Sequence, residues 1–173
     1  MSVWQLSKSN AHVSSVTNRA ERHGPNLEPA MTIGMKVSAP ADSCDALDKQ
    51  LNKLMFRKPG KEESVQGELP GTTANEGNTA RRFPKIGTFP WNEKFDGYAI
   101  EIGSGLVSTG TQLVDMVDVT IVSITPKDGG AVEYTIKASF RIDEDLAHLA
   151  LLTGQDIEVS IRPRSEQQEQ MAA

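Results

Sequence analysis

Between residues 81 and 95 the chain interleaves cations with flat rings: Arg81, Arg82, Lys85 and Lys94 alternate with Phe83, Phe89, Trp91 and Phe95. The chemistry this mixture can do is recognition of a single nucleic-acid strand. Cations meet phosphates and ring faces meet bases, at roughly 1–3 kcal/mol per stacked base. The candidate binding set is Arg81, Arg82, Lys85, Phe89, Trp91 and Lys94. The opposing reading folds Phe83, Phe89 and Trp91 back into the core and leaves the arginines to keep the segment soluble. It draws strength from an aromatic content of only 5%, because proteins bury the few large rings they own. Geometry separates the two. Strand binding requires Arg81, Arg82 and Lys85 on one face with an exposed Phe89 or Trp91. An assembly role requires buried rings and an exposed, unpaired apolar strand or helix face.

The remaining reactive residue types are sparse. His12, His23 and His148 have no second histidine or carboxylate at a metal-ligand spacing. Cys44 near a helix start could have a depressed thiol pKa, yet a buried cysteine acting as a small hydrophobe is far commoner. Asp143, Glu144 and Asp145 are explained as helix-capping acids. Asp115 and Asp118, three apart in a strand, fall on opposite faces. No phosphate loop, dinucleotide turn, nucleophile elbow or zincin helix occurs. A non-enzyme with no cofactor and no metal is therefore expected, and an enzyme with a site assembled from scattered residues is the third choice.

Charge and length narrow the class. A net charge of -5 argues against a broad basic surface for duplex DNA, since such binding rests on neutralising phosphates. A local basic groove is compatible with it, because single-strand binders can be acidic overall. One cysteine excludes an intrachain disulfide and fits a reducing interior. The first residues lack a charged head followed by an apolar run, and no stretch approaches the ~18 apolar residues of a membrane span. The expectation is a soluble, cytoplasmic protein without membrane contact.

The elements that must position the candidate residues follow from periodicity. Val132, Tyr134, Ile136, Ala138, Phe140 and Ile142 share one parity, with Glu133, Thr135, Lys137, Ser139 and Arg141 on the other, which predicts a half-buried antiparallel strand. Val117, Val119 and Ile121 predict its hairpin partner, and a parity shift to Val122 and Ile124 predicts a bulge or burial on both faces. The turn lies in 125–130, where glycines can take positive φ. Asp143 caps a predicted helix carrying Leu146, Leu149, Ala150 and Thr153, stopped by Gly154. Ile157, Val159 and Ile161 return as a strand.

Upstream, Trp4 and Leu6 are candidate anchors of a frayed or edge segment. A weak strand over 12–22, a turn at 23–26 and an alternating strand with Leu27, Met31, Ile33, Met35 and Val37 follow. Next comes a capped helix placing Cys44, Leu47, Leu51, Leu54 and Met55 on one face. Tyr98, Ile100 and Ile102 mark a strand over 97–103. The fold class is α+β: a largely antiparallel β-sheet from two hairpin-helix units, closed by the C-terminal strand, with both helices packed on one side. One domain spans 1–173, with an internal duplication over 12–55 and 114–161. Residues 57–82 read as a flexible loop and 163–173 as a frayed tail.

Three pieces resemble uncharacterised small proteins of tailed phages and prophages: the hairpin and capped helix from Asn18 to Leu54, the segment Phe83–Trp91, and the closing unit from Lys127 to Ile161. The resemblance implies a phage origin and brings no functional residues with it. The expected function is a phage-type accessory protein binding single-stranded nucleic acid or the replication and recombination machinery. The alternative is a virion component or oligomeric inhibitor of a host system. In either case the partner is a nucleic-acid strand or a phage or host protein, and a homo-oligomer is expected.

Overall fold

A computed structural model describes residues 3–60, 77–103 and 110–164. Most of the expected 57–82 loop and nearly all of the expected 163–173 tail lie outside the described residues. Eight strands follow in chain order: β1 (Leu6–His23), β2 (Asn26–Pro40), β3 (Phe56–Arg57), β4 (Ala80–Arg81), β5 (Phe89–Gly103), β6 (Thr111–Lys127), β7 (Ala131–Arg141) and β8 (Asp156–Pro163). The six long strands close into a barrel in the order β1-β2-β7-β6-β5-β8, and every pairing is antiparallel. The short strands β3 and β4 pair separately.

Three hairpin-linked strands, β5 to β7, with β8 lying beside β5, make a Greek key. Exchanging β1, β2 and β5 with β6, β7 and β8 leaves the circular strand order unchanged. Each closing strand pairs with the first strand of the other set, β5 with β6 and β8 with β1.

Alternation builds the interior. Val132, Tyr134, Ile136, Ala138 and Phe140 of β7 are buried, as are Met31, Ile33, Met35 and Val37 of β2. The parity shift in β6 is a bulge: the register against β7 slips between Ile121 and Ser123, returning Ile124 to the core. Trp4 and Leu6 do anchor the N-terminal segment, and β1 starts there, with Leu6 opposite Ile161. Leu27, expected inside, is 66% exposed. Its strand has left the barrel by that point, since β2 meets β7 only from Ala30 onward.

The chain is largely antiparallel β-sheet, as expected, with little helix, so the α+β class holds only in part. The predicted helix after Pro40 breaks into a 3-10 segment, Ala41–Ala46, and a single helical turn, α1 (Leu51–Met55). Asp48 explains the break, because its Oδ1 accepts from the backbone N–H of Gln50 at 2.8 Å, a local bond that competes with helical pairing. Cys44, Leu51 and Met55 stay buried while Leu54 turns outward at 59% exposure.

The second predicted helix is a 3-10 segment, Glu144–Leu152, capped as expected by the Asp143 carboxylate, which accepts from Leu146 N–H at 3.0 Å. Its buried residues are Leu146, Leu149 and Leu152, a period of three that matches the 3-10 turn, and Thr153 is exposed. The two segments leave from opposite ends of the β2–β7 ladder, one after Pro40 and one after Arg141, so they do not share one side of the sheet.

Ile136 sits at the barrel centre and its neighbour Lys137 points to solvent. Ile136→Ala is expected to lower unfolding free energy by about 2–5 kcal/mol, and Lys137→Ala to stay within about 0.5 kcal/mol, both read from urea unfolding midpoints.

Candidate functional site

One end of the barrel carries α1, β3 and β4 as a small lobe. Phe56 pairs with Arg81 and Arg57 with Ala80. Arg82 N–H donates to Met55 O at 2.8 Å, holding the start of the 82–88 segment against α1. The lobe rests on the β6–β7 turn, where Arg81 Nε donates to Asp128 Oδ1 at 2.8 Å. Gly130 is required there twice over. Its φ of +73° favours glycine, and a Cβ would meet Asn78 O and the Thr79 Cα at 3.1 Å each.

Between the lobe and the first strand of the β5–β6 hairpin lies an apolar groove of about 330 Å³, lined by Leu51, Leu54, Met55, Phe83, Ile86, Phe89, Trp91 and Pro126. That volume is at the small end for ligand pockets. Phe83 and Ile86 stand 48% and 42% exposed at its rim. Phe89 and Trp91 are half-buried and pack against the barrel core from the groove floor. The Trp91 indole N–H donates to Glu93 Oε2 at 2.5 Å.

The predicted set is therefore divided. Arg82 is exposed, its Nε donating to Lys53 O at 3.1 Å, and it borders an adjoining hollow with Gln50, Lys53 and Leu54. Lys85 is exposed on the same 82–88 segment. Arg81 is tied to Asp128. Lys94 does not line the groove: its ammonium lies 2.6 Å from Asp96 and 3.1 Å from Asp118, and these hydrogen bonds raise its pKa. Phe95, in the same cluster of rings, turns to the core instead, stacking on Trp4 with ring centroids 5.3 Å apart.

Sequence reading missed Lys53, Leu54 and Ile86. A signal existed for the cations. Residues 49–60 and 77–88 contain Lys49, Lys53, Arg57, Lys58, Arg81, Arg82 and Lys85 and not one acid. Only the β3–β4 pairing brings those two stretches into one lobe.

Elsewhere the chemistry is quiet. His12 Nδ1 lies 2.7 Å from Asp156 Oδ1 on an open, polar hollow of about 710 Å³ that also includes Lys36, Ser38 and Glu133. Among the described residues no group of three or more His, Cys, Asp or Glu could hold a metal ion. Cys44 is buried at the barrel end, 3.1 Å from the Tyr134 hydroxyl. Burial pushes its thiol from 9.0 up to about 11 and raises the Tyr134 phenol too. Among the described residues no helix is long and apolar enough to cross a membrane. No protein family, curated protein or solved structure matches the chain.

The Cys44 environment has a measurable signature. Between pH 9 and 11 the unfolded thiol sheds a proton that the folded thiol keeps, so the associated stability is complete below pH 9 and is lost as pH rises toward 11. Unfolding midpoints are expected to fall across that window, less steeply in Cys44→Ala. A disulfide-exchange reagent at pH 8 should label the native thiol only at the rate of chain opening.

Proposed function

We propose that the protein binds a single strand of nucleic acid at the lobe formed by α1, β3, β4 and residues 82–88. The observation that carries this is charge segregation. Seven of the 18 cations and none of the 23 acids lie in residues 49–60 and 77–88, while the sequence between them carries Glu62, Glu63, Glu68 and Glu76, and the two stretches supply Leu51, Leu54, Met55, Phe83 and Ile86 to the lining of an apolar groove. A local basic patch on an acidic protein is the electrostatic footprint of a phosphate backbone. The groove takes a base face, stacking it on Phe83 with Trp91 beneath, while Lys53, Arg82 and Lys85 meet phosphates. We further propose a non-catalytic accessory role in the infected cell, in replication or recombination, with a phage origin as part of that proposal. Two hairpin-helix units, each closing one barrel end, are the finer reading of the scaffold that holds this lobe.

The second reading is a protein partner inserting an apolar side chain, as a virion component or an inhibitor of a host system would. It is favoured by the almost wholly apolar groove lining and by the half-buried Phe89 and Trp91. Salt separates the two, because a strand releases counterions on binding and an apolar side chain does not.

Trp91 reports on the groove while Trp4 is buried in the barrel, so tryptophan quenching by an oligo-dT strand at two salt concentrations tests the proposal. With about three phosphates neutralised, the slope of log K against log salt should be near -2. Phe83→Ala should cost about 1–3 kcal/mol of binding, Arg82→Glu with Lys85→Glu should abolish it, and Lys94→Ala should leave it unchanged. Absence of quenching together with no retention of the strand at low salt rules the proposal out.

A further inference from the structure

Beyond the barrel the β1–β2 hairpin continues as a two-stranded ribbon. β1 meets β8 only from Leu6 to His12, and β2 meets β7 only from Ala30 to Pro40, whereas β1 and β2 stay paired out to His23 and Asn26. From Thr17 to His23, β1 therefore has β2 on one side and no strand on the other among the described residues. The last backbone hydrogen bonds given on that side are at Val13, whose N–H donates to Gln155 O at 2.9 Å and whose carbonyl accepts from Gly154 N–H at 2.8 Å. An open edge of this length is a template for another strand, and an isolated two-stranded ribbon is marginal in water. This edge carries no proline, and one flank exposes Leu27.

The charges on the ribbon choose the occupant. Arg19 bonds to Glu21 on its own strand, its Nε 2.7 Å from Oε1. Glu21 sits directly opposite Glu28 across the hairpin, a like-charge pairing that is unfavourable in a sheet. Glu28 is answered by Arg141 at 2.9 Å. If a second copy adds antiparallel along β1, the two-fold axis must fall midway between one residue and its own mate, because directly opposed residues face the same side of a sheet. A centre at Arg19, Glu21 or Arg22 sets like charges against each other. A centre at Asn18 drives the ladder into the backbone bonds already made at Val13. A centre at Ala20 sets Arg19 opposite Glu21 of the second copy, and Glu21 opposite Arg19, twice over. It also places the small Ala20 against itself and Asn18 against Arg22.

We propose that the ribbon is a homodimerisation arm: two copies join β1 to β1 about Ala20 into a four-stranded ribbon, in the order β2-β1-β1-β2. A strand from an unrelated protein could dock on the same edge, but would have to reproduce this alternation of charge, which the chain's own copy supplies.

Sedimentation equilibrium of the full chain provides the test. The weight-average mass should rise from 18.8 kDa toward twice that value with concentration. Arg19→Glu alone and Glu21→Arg alone each turn both opposed pairs into like charges, and each should weaken self-association roughly ten- to hundred-fold. An equimolar mixture of the two variants restores opposite charges at both positions, so it should associate about as tightly as the unsubstituted protein. A role for Arg19 and Glu21 confined to one chain predicts no such rescue. Ala20→Cys should oxidise to a covalent dimer even where the charge variants fold poorly. An unsubstituted chain that stays monomeric, a mixture no tighter than its components, or an edge that captures foreign strands without self-association overturns the proposal.

Discussion

Closure of the barrel rests on the short ladder between β1 and β8, which joins the first long strand to the last. Leu6 opposite Ile161, Ser9 opposite Val159 and Ala11 opposite Ile157 bring inward-facing residues from the chain's two ends together. Without that seam the sheet has two more edges and an aliphatic interior open along its length. A barrel of only six strands must be strongly coiled, and bulges supply the coil. Register slips fall between Leu6 and Ser9, Val13 and Ser15, Pro90 and Glu93, and Ile121 and Ser123. Among the described residues three non-glycine residues have positive φ, Lys8, Asn92 and Met116, and they sit in or beside the irregular stretches of β1, β5 and β6. Each left-handed residue costs about 1–2 kcal/mol, which is offset by the burial that a closed interior allows.

The strands were legible because burial inside a barrel imposes a period of two whatever the topology. Alternation along β7 and the inner part of β2 gave faces and partners correctly, and the double step at Val122 and Ile124 announced a bulge. Closure was not legible. Which strand lies beside β1 depends on residues more than a hundred positions away, and Ile157 reads alike in an open sheet or a closed one. The helices misled for a local reason. Spacings of three and four from Cys44 to Met55 satisfy an amphipathic helix, but Asp48 diverts its carboxylate to Gln50 N–H and turns Leu54 to solvent. In the second segment Leu146, Leu149, Ala150 and Thr153 fit a helical stripe, but burial of Leu146, Leu149 and Leu152 follows the tighter 3-10 turn.

The site was half legible for related reasons. Rings and cations clustered in 81–95 were plain, yet β5 sorts them by parity and by neighbour. Phe89 and Trp91 reach the groove, Phe95 goes to Trp4, and Lys94 goes to the aspartates beside it. The cations of α1 and β3 entered the site only through a two-residue strand pairing too short to leave a pattern. That pairing is held by Arg82 on Met55 and seated on Gly130. The placement of the lobe's cations thus depends on Gly130, a residue with no charge of its own.

The lobe and the ribbon lie at opposite ends of the barrel. The lobe lies where β2 ends and β7 begins, and the ribbon leaves where β2 departs from β7 near Ala30 and Arg141. The intervening ladder, Ala30 to Pro40, spans about 35 Å at the usual rise per residue. The proposed pair joined through the ribbons would carry its two lobes at the far ends, clear of the joint and of each other's charge, since screening at physiological salt acts over about 8 Å. Under the two proposals, two strand sites held that far apart would act together only on a strand long enough to bridge them. Once it does, the second contact is made at the raised effective concentration that tethering provides. Modest affinity at each lobe then suffices, which accords with a groove that has room for little more than a base and a rim of a few cations.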